Sequence, residues 1–263
     1  MKVYIAGHKG MVGSAICQAL DSMGDYELIS RSRSDLDLTD QASVASFLQA
    51  EKPDAVVLAA AKVGGIHANN TFSAQFIYEN LQIQNNVIHQ SHLADVQSLI
   101  FLGSSCIYPN GTPQPMAEDR LLKGSLEATN ESYAVAKIAG IKMCESYNRQ
   151  YGRDYRSLMP SNLYGPGDNF NSENSHVIPA LIRKFHNAKI TDLDKVSIWG
   201  SGLPKREFLY VDDLADAVSF VMKIDPKVYK SKIDPRCSHL NIGTGSDITI
   251  LGLAELIKDI VQF

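Results

Sequence analysis

The chain is poor in cysteine, with four in 263 residues: Cys17, Cys106, Cys144 and Cys237. None forms a CxxC pair, and none lies near a His at metal-ligand spacing. Neither a disulfide framework nor a bound metal is expected, and free thiols suit a reducing cytoplasm. Long hydrophobic runs are missing too. The longest purely apolar stretch, residues 55–61, is far too short to span a bilayer. The N-terminus, Met1-Lys2-Val3-Tyr4-Ile5-Ala6-Gly7, runs into a Gly-rich turn without a signal-peptide core. Charge of one sign is not in excess: 25 Lys+Arg against 29 Asp+Glu leaves a net charge of −4. That balance argues against a nucleic-acid partner, as the missing runs argue against a membrane. Repeats, low-complexity segments and a clean linker are also lacking. With 44% hydrophobic and 21% charged residues, the composition excludes disordered and collagen-like chains.

What is present is alternation. Residues 2–6, 26–30, 55–60, 98–103 and 155–160 read as strands. Residues 11–23, 41–50, 72–94 and 132–151 read as helices, with stripes such as Val12, Ile16, Ala19 and Leu20. The run at 55–60 is apolar throughout, as in a sheet covered on both faces. Strand–helix alternation implies right-handed βαβ units, and so a Rossmann-type, doubly wound parallel α/β sheet. At roughly 150 residues per domain the length suits one large or two small domains. After about residue 160, Pro and Gly become frequent. The expected organisation is a cofactor domain over 1–160, with later returns near 206–222 and 238–245. A smaller, interleaved α/β substrate region takes residues 161–263. Within it, strands are expected at 208–211 and 240–242 and a helix at 212–222.

Gly7-His8-Lys9-Gly10-Met11-Val12-Gly13 follows the first strand and opens the first helix. Such a turn brings backbone close to a pyrophosphate and aims helix N–H groups at it. An acid at the end of the second strand would accept from a ribose 2′-OH, but here the strand runs into Arg31-Ser32-Arg33. A guanidinium there favours a 2′-phosphate, so NADP(H) is the expected cofactor. Lys9 adds a second positive charge, and Asp37 of Asp37-Leu38 is expected beside the adenine.

Tyr133 and Lys137 are four apart on one helix face. A nearby Lys lowers the pKa of a Tyr hydroxyl, which then passes a proton to a carbonyl oxygen as hydride reaches the carbon. Ser104-Ser105 stands at the end of the fourth strand, where open α/β sheets place ligands.

Further motifs are more specific: Ala59-Ala60-Ala61-Lys62-Val63-Gly64-Gly65-Ile66, Gly103-Ser104-Ser105-Cys106-Ile107-Tyr108-Pro109, Asn162-Leu163-Tyr164-Gly165-Pro166, Asn174-Ser175-His176-Val177-Ile178-Pro179-Ala180-Leu181, and Trp199-Gly200-Ser201-Gly202 with Arg206-Glu207-Phe208. Over nearly the whole chain these resemble the GDP-L-fucose synthase family of extended short-chain dehydrogenase/reductases. The resemblance implies epimerisation of GDP-4-keto-6-deoxy-D-mannose at C3 and C5, then NADPH reduction at C4. It implies Ser104, Tyr133 and Lys137 as the reductase triad and Cys106 with His176 as the epimerisation pair. For the cofactor it implies Gly7, Lys9, Gly10, Met11, Val12, Gly13, Arg33, Asp37, Leu38, Ala60, Asn162 and Leu163, together with Tyr133, Lys137 and His176. For the GDP-keto-sugar it implies Val177, Leu181, Trp199 and Arg206.

The family also implies a homodimer built on the helix that carries Tyr133. Ala134, Ile138, Ile141, Met143 and Tyr147 serve equally as an interface or as the chain's own core. Family members continue for tens of residues beyond a helix like 249–261, so the substrate region is expected to be cut short here. Two other readings share the fold: a different nucleotide-sugar epimerase or dehydratase, and an NADP-sensing protein without catalysis. His8, His67, His89, His92, His186 and His239 carry no motif.

Overall fold

The first half of the chain folds as a run of βαβ units. Its elements are β1 (Lys2–Ala6), α1 (Met11–Ser22), β2 (Glu27–Ile29), α2 (Gln41–Glu51), β3 (Ala55–Leu58), α3 (Ile66–Thr71), α4 (Ser73–Leu93), β4 (Ser98–Leu102), α5 (Glu131–Tyr151) and β5 (Asp154–Pro160). The second half contributes β6 (Asn162–Tyr164), α6 (Val177–Ile190), β7 (Lys205–Tyr210), α7 (Val211–Lys223), α8 (Pro226–Lys232), β8 (Leu240–Ile242), β9 (Asp247–Thr249) and α9 (Ile250–Val261). The computed structural model describes residues 1–171 and 175–263.

Six strands form one sheet in the order β2-β1-β3-β4-β5-β8, every neighbouring pair parallel. This is the expected Rossmann-type sheet. The chain winds outward from β1 in both directions, which places the topological switch point between β1 and β3. The sheet is covered on both faces. One face buries Tyr4, Val56, Leu99 and Phe101 with Val44 and Leu48 of α2, Val87 and Ile88 of α4, and Ile138 and Ile141 of α5. The other buries Val3, Ile5, Val57 and Ile100 against Ile16 and Leu20 of α1 and Leu214 and Val218 of α7. Ala134, Ile138 and Ile141 therefore belong to the chain's own core, not to an exposed interface.

A second, three-stranded sheet has the order β6-β7-β9. The strand expected at 208–211 joins this sheet, while α7, directly after it, returns to the large one. α6 and α9 pack together nearby through Leu181, Phe185, Leu253 and Ile257. Sequence periodicity did not reveal α3, α6, α8, β6 or β9. The strands are three residues long, too short for a period-two signal. In α6, Pro179 reads as a breaker but lies in the first turn, where its missing N–H costs nothing.

Arg156, buried in β5, fastens α7 to the large sheet. Its Nε and Nη2 donate to both oxygens of Asp154 at 2.8 and 2.7 Å. Nη2 also reaches the Ile224 carbonyl at 2.8 Å, and Nη1 donates to the Val221 carbonyl. The guanidinium thus adds a charged donor to carbonyls at the C-terminus of α7, where the Val221 carbonyl also accepts from the Ile224 N–H at 3.3 Å. Removing it leaves the half-buried Asp154 carboxylate without its two-pronged partner and takes a donor from those carbonyls. Arg156→Ala is expected to destabilise the chain by about 3 kcal/mol, read by urea unfolding. A loss below about 1 kcal/mol would show that the clamp is not structural.

Candidate active site

The glycine turn sits at the switch point. Gly7 has φ +94°, and a Cβ there would lie 2.7 Å from the Ala60 nitrogen at the end of β3. A Cβ on Gly13 would lie 2.1 Å from the Gly7 carbonyl oxygen. Both positions need glycine because backbone passes through the space a side chain would take. Gly10 differs: its added Cβ meets only the Gly7 carbonyl oxygen, at an ordinary 3.5 Å. The space in front of Gly10 therefore stays open to a ligand. Gly10 is also the N-cap of α1 and offers no side-chain acceptor to the helix N–H groups, and the first turn holds no acid. These features fit an anionic pyrophosphate. Met11 and Val12 begin α1, half-buried against the core.

Lys9 is exposed, and its charge reaches Asp35 in the loop after β2. Arg31 turns away from the turn, pairing with Glu51 at 2.7 Å and lying over the Phe47 ring. Arg33 is the more exposed guanidinium of that loop. The Asp37 carboxylate accepts from the Thr39 N–H and hydroxyl at 2.9 and 2.8 Å, which holds it below the usual carboxylate range. Leu38 packs on the core, and its carbonyl accepts from Asn86.

The second group lies at the end of β4. Ser104 starts a short 3-10 turn over Ser105–Ile107, and its Oγ accepts from the Cys106 N–H at 3.4 Å. Lys137, 4% exposed on α5, donates Nζ to the Leu102 carbonyl at 2.8 Å. The same Nζ lies 5.7 Å from the centre of the Tyr133 ring. Two buried amides on α4 hold this region from behind. Gln84 donates to the Ala136 carbonyl at 2.6 Å, and Asn80 pairs with both backbone groups of Lys62. Sequence reading passed over both, because a polar residue inside a helical pattern normally marks the solvated face.

Burial controls the electrostatics. Lys137 is pushed down from 10.5 to about 8, so it remains an ammonium at neutral pH. Tyr133 was expected to be lowered by that ammonium. Instead burial raises its phenol, with the nearby Cys106 thiol as the second cause. Tyr133 is therefore protonated and ready to donate. Burial also pushes the Cys106 thiol up, opposed by its hydrogen bond to Ser104 and by the Lys137 charge. Ser104, Cys106, Tyr133 and Lys137 thus form one interacting group.

The remaining candidates lie on the second region. His176 is the exposed N-cap of α6, and its electrostatic neighbour is Asp168. The Asp168 carboxyl is raised by burial, and its Oδ2 is buried without a hydrogen-bond partner. Sequence reading missed this acid, which lies in no motif. Val177 begins α6, half-buried, but Leu181 is 4% exposed and serves the core. Asn162 donates to the Glu207 carbonyl at 2.9 Å, and Leu163 packs under the large sheet. Trp199 is 80% exposed, with Lys184 Nζ 5.1 Å from the ring centre. Arg206 is exposed, and its guanidinium donates to the neighbouring Lys205 carbonyl at 2.8 Å. Asn174, which opens the motif before α6, lies outside the described residues.

A family model, the NAD dependent epimerase/dehydratase family, matches residues 3–243. The chain belongs to this family. Among its relatives, GDP-L-fucose synthase of Escherichia coli K12 is 58% identical over 262 residues, covering 100% of this chain and 82% of the relative. GDP-L-fucose synthase 1 of Arabidopsis thaliana is 55% identical, with 100% and 78% covered. In structure, the chain is similar to a GDP-D-glycero-L-gluco-heptose synthase of Campylobacter jejuni solved in the presence of NADPH. That match has a TM-score of 0.91 at 41% identity and covers 100% of this chain and 86% of the other. The glycine turn, Tyr133 and Lys137 all fall inside the span matched to the epimerase/dehydratase family.

Lys137 carries a pH test. Its folded pKa of about 8 lies below the unfolded value of 10.5, so burying the ammonium opposes folding. That cost is full below about pH 8 and disappears as pH rises through 10.5. Lys137→Met is expected to be more stable than the parent at pH 7, by up to about 3 kcal/mol, and reductase activity should be lost. The stability gap should shrink to below about 1 kcal/mol at pH 10 and close only above pH 10.5. Urea unfolding of both proteins at pH 7 and 10 checks this. A variant less stable than the parent at pH 7 rules it out.

Proposed function

We propose that this chain makes GDP-L-fucose: it epimerises GDP-4-keto-6-deoxy-D-mannose at C3 and C5, then reduces C4 with NADPH. The observation that carries the reading is the Ser104, Cys106, Tyr133 and Lys137 group, set at the C-terminal edge of a parallel sheet whose switch point holds an open glycine turn. Relatedness to the bacterial and plant GDP-L-fucose synthases supports the substrate. NADPH supplies the hydride for the C4 step. Gly7, Gly10 and Gly13 would admit its pyrophosphate, Met11 and Val12 would present the α1 N-terminus, and Lys9 and Arg33 would face the 2′-phosphate. Asp37, Leu38 and Ala60 would flank the adenosine, and Asn162 and Leu163 would line the far side of the cleft.

The residues then divide the proton work. The C4 ketone acidifies the protons on C3 and C5. Ser104 and Tyr133 donate hydrogen bonds to the oxyanion that forms on deprotonation. Cys106 and His176 exchange the proton, one taking it from one face of the ring and the other returning it to the opposite face. For reduction, the protonated Tyr133 gives its proton to the C4 oxygen. The Lys137 ammonium, beside the ring, stabilises the phenolate that remains. Arg206 is assigned to a GDP phosphate, and Trp199 and Val177 to the nucleotide-sugar.

The same reading gives residues 1–160 to the cofactor, with later returns, and residues 161–263 to the substrate. It includes a homodimer in the cytoplasm. Exposed Phe72, Tyr78 and Val135 on and beside α4 and α5 support the dimer, and four free cysteines support a reducing compartment. No described helix is long and apolar enough to cross a membrane.

The direct test is NADPH oxidation with GDP-4-keto-6-deoxy-D-mannose and identification of the product. GDP-L-fucose is expected, while turnover of UDP-glucose instead would identify a different epimerase. Cys106→Ser is expected to slow deuterium exchange into C3 and C5 at least about 100-fold while NADPH binding persists. Exchange at the parent rate would remove Cys106 from the epimerisation step.

A further inference from the structure

Arg33 does not stand free. Its Nη2 lies 3.8 Å from Glu79 Oε2, and Glu79 Oε1 accepts from Lys62 Nζ at 2.6 Å. A single carboxylate from α4 therefore bridges cations on two loops, one after β2 and one after β3. The two contacts are unequal. Lys62 is fixed: its N–H donates to Asn80 Oδ1 at 2.9 Å, and its carbonyl accepts from Asn80 Nδ2 at 3.0 Å. Its Nζ also lies 5.9 Å from the centre of the Phe76 ring. Arg33 has a side chain 76% exposed and only the longer contact, whereas Glu79 is 21% exposed. The other acid whose charge meets Arg33 is Asp37, and its carboxylate is engaged by Thr39. Nothing in the proton chemistry proposed above uses Glu79 or Lys62.

We propose that Glu79 is a specificity-determining residue that moderates the preference for the phosphorylated cofactor. Its carboxylate competes with the 2′-phosphate for Arg33 and keeps Lys62 beside it as a second, fixed cation. This rests on the reading of Arg33 as the residue that meets the 2′-phosphate. A cation shared with a carboxylate attracts a second anion less strongly, and the carboxylate itself repels that anion. Arg33 is the partner that yields, because its contact is long and its side chain is free to swing. The Glu79–Lys62 pair remains in place.

The test is fluorescence titration of NADPH and NADH into the parent, Glu79→Gln, Arg33→Ala and the double variant. Glutamine keeps an acceptor for Lys62 while removing the charge. Glu79→Gln is expected to bind NADPH roughly two- to fivefold more tightly, the scale of an exposed ion pair, with NADH affinity unchanged. The gain should shrink in high salt and fall when Arg33 is also removed, leaving only the relief of direct repulsion. Unchanged NADH binding reports an intact fold. Glu79→Ser is read in the same way if the glutamine variant does not fold. Unchanged or weaker NADPH binding, or an equal change for both cofactors, overturns the proposal. If Arg33→Ala leaves the NADPH preference intact, the Arg33 reading itself fails. If Arg33→Ala abolishes the preference while Glu79→Gln changes nothing, only the role of Glu79 fails.

Discussion

The close approach of three backbone segments sets the rest of this structure. The carbonyl of Gly7 occupies the place where a Cβ at residue 13 would stand, and the start of the Ala60 segment crowds Gly7 itself. With glycine at both positions, α1 can start directly beneath the end of β1 and beside the end of β3. The N-terminus of α1 then faces the crevice at the switch point, where its unpaired N–H groups meet an anion. A methyl group at either position would push helix and strand apart by more than side-chain rotation can absorb. Gly10 has the complementary role, since it meets no such obstruction and leaves its space to the ligand.

The chemistry across the crevice depends on a longer-range closure. β8 comes from the last part of the chain, yet it completes the large sheet beside β5. Tyr108, two residues after Cys106, donates its hydroxyl to Asn241 Oδ1 at 2.5 Å and contacts His239 Nε2 at 3.2 Å. The Asn241 N–H in turn donates to Glu118 at 3.0 Å. The loop that carries Ser104 and Cys106 is thus anchored to a strand more than a hundred residues away in sequence. His239 is lowered to about 4 by burial, so it stays neutral and acts as a fixed hydrogen-bonding group.

Much of this was legible in the sequence because β1, β3, β4 and β5 and the helices α1, α2, α4 and α5 carry strong patterns. Runs such as 55–58 are apolar throughout because both sheet faces are covered, and the helical stripes fall on the same two faces. The glycine turn was legible through its position after β1. The second region was less so, since β6 and β9 are too short for periodicity and α6 begins with a proline in its first turn. Single buried polar residues were illegible for a different reason. Asn80 and Gln84 matter through partners distant in sequence, and a sequence pattern records only the neighbours on the same element. The direction of the Tyr133 shift was misread on similar grounds. The spacing of Tyr133 and Lys137 is visible, but the burial that outweighs the Lys137 charge is not.

That misreading bears on the mechanism. A tyrosine lowered toward neutrality would be partly phenolate at rest and a poor donor to a carbonyl oxygen. Burial keeps Tyr133 protonated at rest, so in the proposed reduction the Lys137 ammonium would become decisive only as negative charge develops on the substrate. The same burial raises the Cys106 thiol and lowers Lys137, so Tyr133 and Cys106 are held uncharged while Lys137 keeps its charge at neutral pH. A low-dielectric site of this kind stabilises the transition state more than the resting state, because its hydrogen bonds strengthen as charge appears. The cost is borne by the fold, through an ammonium buried where the Leu102 carbonyl is its one hydrogen-bond acceptor among the described contacts. The Phe101 ring, its centre 4.9 Å from the same Nζ, offsets part of that cost and ties the lysine to the strand end that carries Ser104.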